Sequence, residues 1–305
     1  MCGIAGYIDP CGISRRALQR MSEVLAHRGP DDEGFLLLNA RGEGCALRGP
    51  HSAAGMEVLD HIDSSCTGFP ALMGWVHRRL SIIDLSTDGH QPMQAGDRVW
   101  MMMNGEIYNY PELRAELTSR GHRFRSSSDT EVALNAYLEW GTGCFHRFRG
   151  MWAMAFFDQR SGELLLSRDR FAIKPLYLIH QDQIFAFASE IKALLEIPGI
   201  HPVADNRQLY QYLSFPGLND PYATLFSGIR ELEAGTVLTT GLRDRAVRKL
   251  SYYDLEDRSL SLASGAEGGD PLEGYASLLE QSVALHLRSD VPVGSCLSGG
   301  LTSSM

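Results

Sequence analysis

The sequence predicts a layered α+β fold, and three features of the residue pattern predict it. Short apolar runs of strand type recur through the first two hundred residues, at 4–8, 34–38, 72–76, 99–103, 151–157, 164–167 and 184–188. Amphipathic helical patterns interrupt them. The two kinds of segment do not alternate in the strict strand–helix–strand order of a parallel sheet, which leaves strands paired in antiparallel sheets with helices packed on them.

Each element has a local reason. Ser14 can cap a helix whose apolar face is Ala17, Leu18, Met21 and Leu25, and Gly29-Pro30 stops it. Ser128-x-x-Glu131 reads as a capping box ahead of Val132, Ala133, Ala136, Tyr137 and Trp140 at helical spacing. The stretch 256–270 is rich in Gly, Ser and charge and reads as a linker or loop. Beyond it Leu272, Tyr275, Leu279, Val283 and His286 mark a helix, and 291–297 reads as a short strand running into Ser298-Gly299-Gly300-Leu301-Thr302-Ser303-Ser304.

Composition bounds the function. At 305 residues the chain is about two domains' worth, taking roughly 150 residues per domain. With 44% hydrophobic and 21% charged residues it is an ordinary globular chain. The net charge of −9 gives no surface for nucleic acid or anionic lipid. Six scattered cysteines form no C-x-x-C pair and suggest neither zinc nor a disulfide framework, so no metal is expected and reduced thiols in a cytoplasm are. No apolar run approaches the roughly 20 residues of a membrane span, and no signal-peptide pattern opens the chain.

Cys2 is the strongest chemical signal. Removal of Met1 would leave a thiol and a free α-amine on one residue, a nucleophile carrying its own base, since an α-amine titrates at roughly 7.7–8.0. Taken alone, Cys2 reads first as a small buried hydrophobe at a strand start. Four further segments join it: His27-Arg28-Gly29-Pro30-Asp31, Arg79-Leu80-Ser81-Ile82-Ile83-Asp84, Asn104-Gly105-Glu106-Ile107-Tyr108-Asn109 and Ser128-Asp129-Thr130-Glu131. Independent motifs multiply in specificity. In this order the chain resembles the class II glutamine amidotransferase part of the glutamine-hydrolysing asparagine synthetases. The runs Arg168-Asp169-Arg170-Phe171-Ala172-Ile173-Lys174-Pro175-Leu176-Tyr177 and Ala188-Ser189-Glu190-Ile191-Lys192-Ala193-Leu194 extend the resemblance, with Ala172 where the family usually has glycine.

The resemblance implies a four-layer αββα N-terminal nucleophile hydrolase fold over residues 2–220, a connecting segment over 221–270, and the first helix and strand of a truncated α/β ATP-pyrophosphatase-type domain over 271–305. It implies hydrolysis of glutamine to glutamate and ammonia through a Cys2 thioester, with no cofactor for that step. Asn104 and Gly105 would supply the oxyanion donors through a side-chain amide and a backbone N–H. By itself Asn-Gly reads as a hairpin turn. Arg79 would grip the substrate α-carboxylate bidentately, although without the run that follows it would pass for a surface arginine. Asp129, with Glu106 nearby, would take the α-ammonium, and an acid in a first helical turn is equally explained by the helix dipole. Leu80, Ile82 and Ile83 complete the implied glutamine pocket.

The terminal run resembles the family's pyrophosphate loop, which assigns Leu297, Ser298, Gly299, Gly300 and Ser303 to ATP. Thr302 stands where the family's aspartate would help hold magnesium, and a hydroxyl is a poorer ligand for that hard cation. In the full family ATP and Mg2+ serve amidation of aspartate or a related carboxylate. The chain ends one residue after the motif, so the expectation is a glutaminase half whose ammonia goes to solvent or to a separate synthetase chain, with that chain or a homodimer as the partners expected. One alternative is a remnant or interaction module with the fold but without a working site; another is a fragment of a longer product that carries out the full ATP-dependent amide synthesis.

Overall fold

The computed structural model describes residues 1–64, 69–96, 98–214, 220–244, 246–256 and 270–295. Two antiparallel sheets form its centre. The seven-stranded sheet comprises β1 (Gly3–Ile8), β2 (Asp32–Asn39), β3 (Gly44–Arg48), β4 (Ala71–Arg79), β9 (Tyr177–Gln181), β10 (Ile184–Ala188) and β11 (Ile229–Glu231), in the order β11-β9-β10-β1-β4-β2-β3. The six-stranded sheet comprises β5 (Met93–Ala95), β6 (Val99–Ile107), β7 (Gly150–Asp158), β8 (Glu163–Arg168), β12 (Thr236–Gly241) and β13 (Val247–Ser251), in the order β13-β12-β8-β7-β6-β5.

Side-chain alternation explains how they stack. Ile4 and Ile8 of β1, Met73 and Trp75 of β4, and Trp100 and Met102 of β6 meet between the sheets. Ala5 and Tyr7 face the other way, toward α1 (Arg15–Leu25). Met101 and Met103 face α2 (Tyr110–Ser119) and α3 (Asp129–Trp140). Three apolar interfaces thus define the expected helix–sheet–sheet–helix layering. Each fully buried Phe or Leu there contributes about 1.5–3 kcal/mol.

Both cap assignments hold in part or whole. Ser14 accepts the Ala17 N–H at 3.2 Å and starts α1. Ser128 accepts the Glu131 N–H at 3.2 Å, but the reciprocal half of the box is not made. The Glu131 carboxylate instead accepts from the Arg125 and Ser126 N–H groups, satisfying the turn ahead of α3.

Short helices α4 (Cys144–Arg147), α5 (Ile191–Leu194) and α6 (Asn206–Ser214) follow, and α7 (Pro271–His286) leaves Leu272, Tyr275, Leu278 and Val283 exposed. Two expectations change. The segment 221–270 carries β11, β12 and β13, so the central layers continue to Ser251, past the expected boundary at 220. Residues 291–295 form no strand, because no described strand adjoins them to complete a ladder. The linker residues 257–269 and the run 296–305 lie outside the described residues. Among the described residues no helix is long and apolar enough to cross a membrane.

Candidate active site

The inter-sheet core opens at one end into a narrow cleft lined by Cys2, Arg79, Leu80, Ile82, Ile83, Asn104, Gly105, Glu106 and Asp129. All nine residues expected from the sequence for glutamine chemistry meet there. A larger hollow lies among the turns at the opposite end of the six-stranded sheet, but among the described residues its lining holds no thiol and no imidazole. Chemistry, and not volume, selects the smaller cleft.

Cys2 precedes β1 on the face shared by Ile4, which points it between the sheets. Arg28 donates to the Cys2 carbonyl at 2.9 Å and pairs with Glu190, and Ile4 N–H donates to Ser189 at 3.0 Å, so the chain entering β1 is fixed from two sides. The thiol lies 3.4 Å from the Leu80 N–H and 3.6 Å from its carbonyl. Burial pushes the Cys2 thiol up and the Met1 amine down from their ordinary values, both toward the neutral forms.

Asn104 and Gly105 are not a turn. They sit inside the continuous strand β6, paired with Ala153 and Trp152 of β7. A Cβ on Gly105 would fall 2.2 Å from the Met151 carbonyl oxygen, so close backbone approach requires glycine here. The Asn104 side chain is fully buried on the inter-sheet face, and neither its amide nitrogen nor its oxygen has a partner. Such an orphaned amide costs about 1–3 kcal/mol and points to a ligand.

The neighbouring backbone shows the same provision. β5 pairs with β6 only as far as Met101. Past it, the β6 groups facing away from β7 are met by side chains: Met103 N–H donates to Gln91 at 2.7 Å, Met103 C=O accepts from His77 at 3.1 Å, and Ile107 N–H donates to Asp129 at 2.8 Å. By ladder alternation the Gly105 N–H falls in that row, outside the β6–β7 ladder and beside the cleft.

Arg79 differs from expectation in one respect. The Arg79 guanidinium is nine-tenths buried and already donates to the carbonyls of Ser86 at 2.8 Å, Ile83 at 3.5 Å, and Asp84. These bonds orient it and leave part of its five-donor fork for a carboxylate. A Cβ on Gly89 would collide with it at 2.0 Å. Asp290 clamps the same loop, donating to Ile82 C=O at 3.0 Å and accepting from Asp84 N–H at 2.8 Å. Asp129 is pushed up to about 7, by burial first, against the opposing Ile107 hydrogen bond and with the Glu106 charge adding to the rise.

Sequence reasoning missed Lys174, Gln91, Met103, Ser128 and Thr130, which also line the cleft. Lys174 is 4% exposed and burial lowers its amine from the ordinary value. Its run was legible as a motif, but only the fold turns the lysine inward: buried Asp169 gathers the N–H groups of Phe171, Ile173 and Lys174. The residues expected to bind ATP, Leu297, Ser298, Gly299, Gly300 and Ser303, lie outside the described residues.

Comparison with known proteins agrees with this geometry. A profile described as Glutamine amidotransferase domain matches residues 62–253, and one described as Asparagine synthase matches 274–305. The chain is 32% identical to asparagine synthetase [glutamine-hydrolyzing] 3 of Bacillus subtilis, covering all of this chain and 44% of that protein. It is 33% identical to a putative asparagine synthetase [glutamine-hydrolyzing] 2 of Methanocaldococcus jannaschii, covering all of this chain and 56% of that one. The chain thus spans about half the length of the curated relatives it matches. Among solved structures, the glutamine phosphoribosylpyrophosphate amidotransferase of B. subtilis superposes with a TM-score of 0.60 over 83% of this chain and 49% of that one, at 16% identity, a likeness of fold alone.

Proposed function

The chain belongs to the glutamine amidotransferase domain family, and from that premise we propose how its residues carry out glutamine hydrolysis. Once Met1 is removed, the Cys2 α-amine accepts the thiol proton and the sulfur attacks the side-chain amide carbon of glutamine. The resulting oxyanion lies against the Asn104 amide and the Gly105 N–H. The C–N bond breaks, the α-ammonium returns the proton to the leaving nitrogen, and ammonia departs. A water deprotonated by the same amine then attacks the thioester, releasing glutamate and restoring the thiol. Arg79 holds the substrate carboxylate and Asp129, with Glu106 behind it, the substrate ammonium.

The observation that carries this reading is the orphaned, fully buried Asn104 amide facing the cleft that Cys2 lines. The test is release of ammonia and glutamate in equal amounts from glutamine, absent in Cys2→Ala.

We further propose that the ammonia serves amidation of aspartate or a related carboxylate, with ATP and magnesium, by a synthetase unit on this polypeptide or another. The names and greater length of the relatives support that reading, as does the apolar face of α7. Thr302 in place of a metal-holding aspartate makes magnesium affinity the quantity to measure in that unit.

A further inference from the structure

We infer that His77 and Gln91 are positioning residues for the oxyanion donors: together they hold both backbone groups of Met103 and thereby set where the Asn104 amide and the Gly105 N–H point. The inference rests on the glutaminase reading of the cleft. A strand edge without a neighbour exposes one N–H and one C=O at every second residue. On β6 that edge begins after Met101, where β5 ends. Left to itself, this stretch could twist or bulge by tenths of an ångström, and donors aimed at an oxyanion tolerate little such freedom.

The two side chains come from different elements. His77 lies in β4 directly opposite Ile4 of β1, on the inter-sheet face, and is fully buried. Since a carbonyl can only accept, the His77 Nε2 bonded to Met103 carries the proton and Nδ1 is a bare lone pair. That Nδ1 has no partner, and burial pushes the imidazole down to about 3, so the ring is neutral throughout the working range. A neutral, half-satisfied imidazole in an apolar core is costly compared with leucine. What it provides in return is the Met103 bond.

Gln91 reaches further. Its Oε1 accepts from Met103 N–H at 2.7 Å while its Nε2 donates to Thr130 at 3.1 Å. Met103 precedes Asn104 and Thr130 follows Asp129, so one buried side chain bridges the strand that faces the oxyanion and the helix that faces the substrate ammonium. The loop carrying Gln91 is itself fixed, since His90 bonds Asp32 at 2.7 Å.

The experiment compares His77→Leu and Gln91→Leu with the conservative His77→Gln and Gln91→Glu, in the Met1-free chain. Loss of the hold should lower kcat on the order of 10–100-fold, less than the 10²–10³-fold typical of deleting a donor. KM for glutamine should move by less than about threefold in His77→Leu, which touches neither Arg79 nor the Asp129 helix, whereas Gln91→Leu, which also frees Thr130, should raise KM alongside the fall in kcat. Affinity for glutamate γ-semialdehyde, whose Cys2 adduct is tetrahedral, should fall with kcat/KM, while affinity for glutamate holds. The conservative variants should recover part of both. Amide exchange should quicken at Met103 and Gly105 in Gln91→Leu. A rise in KM at constant kcat, or unchanged kcat in folded variants, overturns the inference. If the parent chain releases no ammonia, the glutaminase reading fails by itself, and the exchange rates still decide: faster exchange supports the positioning role and unchanged exchange overturns it.

Discussion

Asp84 accepts a 2.7 Å hydrogen bond from the Ser127 N–H, and this bond joins the two segments proposed to read the amino-acid end of glutamine. On one side Asp84 gives its carbonyl to Arg79 and its other carboxylate oxygen to Ser86. On the other, Ser127 leads directly into Ser128-Asp129. The residue is held at φ +57°, a left-handed conformation that Asp and Asn tolerate better than most.

Asp84→Ala should therefore raise KM for glutamine by about tenfold or more with kcat little changed, since carboxylate and ammonium readers lose their mutual spacing while Cys2 and β6 do not. Each hydrogen bond to the charged carboxylate is worth roughly 1.5–3 kcal/mol. Burial alone would raise the Asp84 carboxyl, but the bonds from Ser86 and Ser127 outweigh it and the net shift is downward. That stability is present above the unfolded carboxyl value of about 3.9 and is lost as pH falls through the folded one. Acid unfolding of Asp84→Asn should accordingly be less steep below pH 4, as denaturation by circular dichroism would record.

Asp129 titrates in the opposite sense. Raised to about 7 by burial, it must be ionised to hold an ammonium, so kcat/KM for glutamine should climb about tenfold per pH unit below 7. The same elevation makes the folded chain lose stability as pH rises from about 4 to 7. In Asp129→Asn the limb should become shallower, keeping only the part due to the α-amine base; an unchanged limb would show that Asp129 does not titrate in it.

Asn104→Ala separates function from folding. Removing an oxyanion donor should lower kcat by about 10²–10³-fold. Its amide is buried without partners, so its loss removes a desolvation cost, and the melting temperature should hold or rise. A large fall in Tm would show that the amide has a structural partner in solution.

At Ala172 the backbone sits at φ +55°, in the left-handed region that glycine occupies without strain. A left-handed alanine costs roughly 1–2 kcal/mol, against about 0.4–1 kcal/mol by which glycine loosens the unfolded chain. Ala172→Gly should thus raise stability by up to about 1 kcal/mol in urea titration.

Much of this was legible beforehand. The strands that line the core are continuous apolar runs, Ser14 and Ser128 carry their cap signals in place, and the motifs around Cys2, Arg79, Asn104 and Asp129 converge as expected. What was not legible depends on partners far away in sequence. The Asn104-Gly105 pair carries a turn signal, and only its pairing with Ala153 and Trp152 shows it as strand. β13 is exposed at every residue and reads as connector because it is a sheet edge. Gln91 and His77 satisfy a backbone edge whose existence follows from β5 stopping short. Arg79 reads in the sequence as a bidentate grip on a carboxylate, and its three bonds to loop carbonyls are visible only in the fold.

The central claim is that Cys2 supplies both the nucleophile and its base. The most direct test compares ammonia release by two forms verified by intact mass, one with Met1 removed and one with it retained, at matched folding. The account predicts turnover only in the Met1-free form, abolished in Cys2→Ala. Equal turnover in both forms would contradict it, because a blocked α-amine could not then be the base.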